Sequence, residues 1–229
     1  TVRLGFVNVI DAFHMVGSKD VAVRFFQDER NSKSPGIRLT DDLLAMALDV
    51  ESDDLVQENE SRWRLVETAW AYNLPQRLLT VDYDPVLNLF FARDSEAKRQ
   101  NVTNAAPALN GYQMGKCFYC TRQIHIGEKI LLENRAEVDH FFPHVLLRKG
   151  NIDYDLDQAW NLVLACNSCN GASGKRDLCP DLHYVEDLHQ RNEHLIGSHH
   201  PLRETIMART GNTESIRKDF LQSCYNTAK

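Results

Sequence analysis

The spacing of apolar positions along this 229-residue chain changes several times, and each change predicts a different element. Residues 7–16 have helical spacing. Thr40-Asp41-Asp42 ahead of Leu43-Leu44-Ala45-Met46 predicts a helix capped by the threonine hydroxyl, with acids in the first turn where the helix dipole favours them. Helical periodicity resumes over residues 54–72. There Trp63, Val66 and Trp70 share a face at i, i+3 and i+7, and that stripe reads as core. Residues 78–83 and 86–91 read as two strands joined at Asp84-Pro85. Residues 94–104 are polar without clear periodicity and read as a domain boundary. Val138-Asp139-His140-Phe141-Phe142 has the β-branched and aromatic content of a strand, with Ile130-Leu131-Leu132 as its expected hairpin partner. After residue 180 the pattern is helical again, broken near Gly197 and Gly211. The expected fold is α+β: a mainly helical accessory domain over 1–110, a compact module over 111–182 and a helical C-terminal extension over 183–229.

Composition narrows the class. Hydrophobic content of 43% and charged content of 25% are ordinary for a soluble globular protein. No apolar run approaches the roughly 20 residues needed to span a bilayer. Residues 4–10 are apolar, but Asp11 and His14 follow at once, so the segment reads as part of the fold rather than a signal peptide. The net charge of −6 is concentrated in the N-terminal half. Residues 41–60 hold eight acids and no Lys or Arg, a stretch that repels nucleic acid and reads either as a solvated helical face or as a docking surface for a basic partner.

The six cysteines do not read as a disulfide framework. Four fall into two C-x2-C pairs, Cys117/Cys120 and Cys166/Cys169, which suits metal ligation in a reducing compartment and hence a cytoplasmic location. Two such pairs complete a closed, structural Zn²⁺ tetrahedron. Cys179 and Cys224 are left over and read as small buried hydrophobes. The 45 residues between Cys120 and Cys166 exceed an ordinary ribbon spacer, so a functional insert sits inside the clamp. That insert contains Glu137-Val138-Asp139-His140-Phe141-Phe142-Pro143. Adjacent strand residues point to opposite faces, so Asp139 and His140 serve one site only if the backbone bends or the ligand lies across the strand.

Downstream, Trp160-Asn161-Leu162 runs into the second pair, and Asn170 follows Cys169 directly. In order and spacing, residues 111–178 resemble the HNH endonuclease family. Its ββα-metal motif runs Cys-x2-Cys, Asp-His with apolar residues and Pro, Asn-apolar-Cys-x2-Cys, then His or Asn, then a basic residue. The resemblance implies that His140 is the general base, Asp139 a catalytic-metal ligand, and Asn161 the asparagine that braces the motif and orients the histidine. Asn170 stands where a final His often stands, as in the HNN variant, and implies a second metal ligand. A carboxylate and an amide oxygen make a hard site suited to Mg²⁺ or Mn²⁺, whereas a histidine there favours softer ions. Lys175 and Arg176 match the basic residue in uncertain register, either as contacts to a flanking phosphate or as a solvated pair.

The expected activity is therefore metal-dependent hydrolysis of DNA, leaving 5′-phosphate and 3′-hydroxyl ends. The acidic N-terminal region further suggests a protein partner or second subunit that delivers substrate, as in a bacterial anti-phage or restriction-type system. Two alternatives stand beside it: a nuclease directed at RNA or modified DNA, and an inactive zinc-containing module that binds nucleic acid or protein. His144 reads as a surface or supporting histidine. His183, His189, His194, His199 and His200 read as ordinary helix-surface residues, with His199-His200-Pro201 marking a helix start.

Overall fold

The computed structural model describes residues 14–16, 19–49, 52–71, 80–93, 99–126, 135–147, 155–171, 174–175 and 177–229. The class is α+β, and internal contacts divide the chain into two compact units, residues 1–55 and 56–229. Among the described residues, no helix is long and apolar enough to cross a membrane.

The first unit carries two small hairpins. β1 (Met15–Val16) pairs with β2 (Lys19–Asp20), and β3 (Phe26–Asp28) pairs with β4 (Ile37–Leu39). Polar contacts hold the second hairpin: Arg30 chelates the Asp28 carboxylate at 2.6 and 2.8 Å, and Arg38 pairs with Glu29 at 2.9 Å. Helix α1 (Asp41–Asp49) begins where expected, with the Thr40 hydroxyl accepting from the Leu43 amide. Residues 7–13 of the expected first helix lie outside the described residues, and its end, Met15–Val16, is a strand. The N-terminal part thus contains more strand than its mainly helical patterning suggests. These strands are too short to print an alternating pattern in the sequence.

Helix α2 (Ser52–Ala71) confirms the periodicity but reverses its face. Trp63 and Trp70 are 52% and 58% exposed and meet edge to face at 5.4 Å, while Ser61, Leu65, Thr68 and Ala69 are buried. A stripe of small and medium residues packs closer to a neighbour than two indoles do, so the buried stripe is the less conspicuous one.

In the second unit, β5 (Asp82–Asp84), β6 (Leu89–Arg93) and β7 (Arg99–Asn104) form an antiparallel sheet in that order. The turn between β5 and β6 is set by Asp84 Oδ1, which accepts from the Val86 and Leu87 amides at 2.9 and 3.0 Å. β7 falls in the segment expected to be a boundary. Its pairing to β6 supplies the order that its polar sequence does not announce. Helix α3 (Ala105–Gln113) follows directly, so position 110 lies within a helix.

β8 (Ala136–His140) pairs antiparallel with β9 (Leu162–Cys166), from Ala136↔Cys166 to His140↔Leu162. The expected partner, Ile130-Leu131-Leu132, lies outside the described residues. β9 is buried along its whole length, as its unbroken Leu-Val-Leu-Ala-Cys run requires. Short helices α4 (His144–Leu147) and α5 (Asn167–Asn170) follow the two strands. The C-terminal helices are α6 (Leu182–Gly197), α7 (Arg203–Thr210) and α8 (Glu214–Ala228), interrupted at the two predicted glycines. A single apolar cluster joins Leu65, Phe90, Leu109, Phe141, Phe142, Trp160, Leu164, Leu188, Ile206 and Leu221.

Several charged or titratable side chains are sealed into this unit. Arg191 is fully buried and donates to the carbonyls of Ala159, Trp160 and Leu162. It lashes α6 to the chain just before and within β9. His189 and His200, expected on helix surfaces, are buried as well. His200 accepts the Leu202 amide at Nδ1, at 3.1 Å, which requires a neutral ring. Burial, helped by the cations of Arg62 and Arg191, pushes its pKa down from 6.5 to about 3. A depressed histidine stabilises the fold fully above its unfolded pKa of 6.5, and that contribution is lost as pH falls from 6.5 towards 3. The expected loss is on the order of 1 kcal/mol per pH unit. His200→Asn keeps an acceptor without a proton to gain. Urea denaturation at stepped pH values between 7 and 5 should show a shallower decline for this variant than for the native chain, and parallel declines would refute the assignment.

Candidate functional site

The four paired cysteines converge. Their sulfurs all lie within 4.8 Å of one another, and Cys120 Sγ is 3.8 Å from Cys166 Sγ. Tetrahedral ligation at about 2.3 Å places sulfurs about 3.8 Å apart, so the cluster can hold a metal ion such as zinc. Local geometry builds each half. The Cys117 amide donates to the Arg122 carbonyl and the Thr121 amide to the Cys117 carbonyl, closing the first turn, with Thr121 at φ 58°. Cys166 ends β9 and opens α5, which puts Cys169 one helical turn on. Gln113 joins the halves: its amide donates to the carbonyls of Lys116 and Leu164 and accepts from the Leu164 amide, all at 2.8 Å.

The charges of this cluster call for a cation. Burial pushes the Cys117 and Cys169 thiols up, because each thiolate would be desolvated among other sulfurs. Desolvation also opposes ionisation of Cys120, but the Arg122 amide and the neighbouring thiols outweigh it and bring that thiol down to about 7. A shared dication stabilises all four thiolates at once. Cys179 is half-buried and Cys224 buried; neither joins the cluster.

Between the halves, the β8 alternation sends Asp139 and His140 to different partners. Asp139 is buried, accepts from the Tyr119 hydroxyl at 2.6 Å and meets Lys175 Nζ at 3.2 Å. Burial pushes its carboxyl up, while the Lys175 ammonium and the Tyr119 hydroxyl pull against that shift. Lys175 also donates to the His140 carbonyl at 2.8 Å, and its side chain is only 8% exposed. Burial lowers its pKa in turn, with Asp139 opposing. Lys175 is therefore an internal counter-charge in this structure, not a solvated cation at a loop tip. Gly174 makes that approach feasible, since a Cβ there would stand 2.1 Å from the Cys169 carbonyl oxygen. Arg176 lies outside the described residues.

On the other face, His140 Nε2 donates to Asp157 Oδ1 at 2.8 Å, and His144 Nε2 approaches the same oxygen at 3.1 Å. Burial lowers the His140 pKa and outweighs the opposing pull of Asp157, which keeps the ring neutral near pH 7. Asp157 is held by its own segment: the Tyr83 amide donates to its carbonyl at 3.1 Å, and neighbouring Gln158 donates to Asp82 at 2.8 Å.

Asn161 has no exposed surface. Its Oδ1 accepts from the Phe142 amide at 2.9 Å, and its Nδ2 donates to the carbonyls of Phe142 and Leu156. It ties the chain after His140 to the segment that carries Asp157. Asn170 Nδ2 donates to Glu137 Oε2 at 2.8 Å, leaving the amide oxygen as its donor towards a ligand. Glu137 also accepts from Asn167. Asp139, His140, His144, Asn170 and Asp177 border one open cavity of about 520 Å³.

Of the residues singled out in the sequence, Asp139, His140 and Asn170 border this cavity, the four cysteines cluster and Asn161 lies buried behind His140, whereas Asp157, Glu137 and Tyr119 were not singled out. Asp157 sits among several acids, with no spacing that singles it out. Tyr119 lies inside the first cysteine pair, where its aromatic character suggests only packing.

Dialysis against metal-free buffer should leave one tightly held zinc per chain, read by elemental analysis. Stripping it with a strong chelator should lower Tm by at least about 10 °C, given the several kcal/mol that a structural zinc contributes. An unchanged Tm after complete removal would exclude a structural role. Comparison with protein-family models, with curated proteins and with solved structures finds no match, so the residues and their geometry carry the functional reading.

Proposed function

We propose that this chain is an HNH-type endonuclease that hydrolyses phosphodiester bonds in DNA. One observation supports this above the others: Asp139 and His140 leave β8 on different faces yet border the same open cavity as Asn170. A phosphate lying across the strand meets oxygen donors on one side and an imidazole on the other.

His140 is neutral, and its Nε2–H is committed to Asp157, so Nδ1 is the acceptor that takes the proton from an attacking water. Asp157 fixes that tautomer and stabilises the imidazolium formed after transfer. Asn161 keeps the turn beyond His140 from relaxing. The Asp139 carboxylate and Asn170 amide oxygen are hard donors that fit Mg²⁺ or Mn²⁺, and burial of Asp139 raises its demand for a cation. When bound, such an ion would polarise the phosphodiester and stabilise the leaving 3′-oxygen. The zinc of the cysteine cluster would be closed to solvent chemistry and scaffold the site.

The acidic 41–60 stretch weakens intrinsic affinity for a polyanion. Asp41, Asp42 and Glu60 are exposed on α1 and α2. We therefore assign substrate delivery to a protein partner, as in a bacterial anti-phage or restriction-type system with a cytoplasmic location. One observation favours a second reading, an inactive zinc-stabilised binding module: Lys175 Nζ already stands on Asp139.

Plasmid DNA incubated with native protein and with His140→Ala, each with and without Mg²⁺, separates the two. A nuclease cuts only with the ion, and the variant loses about 10²–10⁴-fold in rate while keeping its zinc. Equal cutting by both proteins would remove His140 from the role of base, and no cutting by either, with or without a co-purified partner, would favour the binding module. An RNA substrate under the same conditions distinguishes the polymer.

A further inference from the structure

His140, His144 and Asp157 form a cluster that general-base chemistry does not need in full. One histidine and one carboxylate suffice for a base and its orienting partner. The His144 ring instead approaches the same oxygen that holds His140, with ring centroids 4.9 Å apart. One ring nitrogen from each histidine and an Asp157 carboxylate oxygen all lie within 4.8 Å of one another, and Nε2 of both rings faces Asp157 Oδ1.

We propose that these three atoms form a second transition-metal site, open to solvent and distinct from the four-cysteine cluster, for an ion such as Zn²⁺. Ligands at about 2.0–2.2 Å from a tetrahedral cation stand about 3.4 Å apart. The two nitrogen–oxygen distances here, 2.8 and 3.1 Å, fall slightly short of that, and small rotations of the three side chains open the remaining gap. Two N–H groups now converge on one oxygen, and a dication replaces both bridging protons. The chain arranges this cheaply: β8 ends at His140 and α4 starts at His144, directly after Pro143, which brings the second ring back over the first. The side chains of His140, His144 and Asp157 are 20%, 37% and 36% exposed, so an ion has access. Two imidazoles and one carboxylate select Zn²⁺ or Ni²⁺ over Mg²⁺, and three protein ligands leave a position for water.

Occupancy has a chemical consequence, which rests on the nuclease reading. A neutral imidazole bound through Nε2 carries its one proton on Nδ1. The ion therefore moves the ring into the tautomer that cannot accept a proton from water. Zinc at this site silences His140 without touching the oxygen donors on the other face.

The test begins with binding alone. Equilibrium dialysis of the full chain in micromolar free Zn²⁺ should give two equivalents for the native protein and one for His144→Ala. The equivalent retained by the variant reports an intact cysteine cluster and fold. Loss of a direct ligand costs at least the 10–100-fold in affinity typical of outer-shell partners. A single equivalent in the native protein, or two in the variant, overturns the site. A second arm adds Zn²⁺ to the Mg²⁺-supported plasmid reaction. Measured against each protein's own zinc-free rate, cleavage by native protein should fall about tenfold or more, while His144→Ala resists. Equal inhibition of both refutes silencing through His140. If no sample cuts DNA, the nuclease reading fails, while the dialysis result still decides the site.

Discussion

Five residue pairs between β8 and β9 couple everything of chemical interest in this chain. The ladder begins at Ala136↔Cys166, beside the second cysteine pair, and ends at His140↔Leu162, beside Asn161. Its register sets which face each side chain takes. A slip of one residue would exchange Asp139 with His140, putting the imidazole against Tyr119 and Lys175 and the carboxylate against Asp157. The apolar run of β9, buried throughout, makes such a slip costly, because its neighbours on both faces are core residues. The cysteine cluster clamps the far end of the same ladder, so metal binding and site geometry share one constraint.

Much of this was legible in the sequence, for a physical reason. C-x2-C pairs, an Asp-His dipeptide and asparagines beside a cysteine are local patterns, and their chemistry depends on short-range geometry. The long-range partners were not legible. Asp157 reaches His140 only because β5 and Gln158 hold its segment in place, and no local pattern encodes that. Lys175 read either as a contact to a flanking phosphate or as half of a solvated pair, but Gly174 lets the backbone approach Cys169 closely enough to turn the ammonium inward. The α2 stripe shows the limit of periodicity. It identified a helix, and the more conspicuous tryptophan face proved to be the exposed one.

Electrostatics in the second unit follows one theme, the enclosure of charge with uneven compensation. Asp139 and Lys175 neutralise each other in a buried setting where both resist ionisation. Arg191 is more extreme, a guanidinium whose hydrogen bonds go to backbone carbonyls, with burial pushing its pKa down to about 9. The buried Arg217 takes the ordinary solution and pairs with Glu193. Charges are thus used as fasteners between α6, α8 and the strand region, in positions where apolar residues would pack without fixing direction.

The reach of Arg191 bears on what counts as a minimal unit. Its guanidinium belongs to α6, beyond the last recognisable motif residue, yet it holds the carbonyls of Ala159, Trp160 and Leu162 around Asn161. A fragment trimmed to the motif would keep the four cysteines and the candidate site residues and lose the fastener behind them. For grafting or transplantation, the portable piece is therefore the motif together with the helix that grips it from the rear.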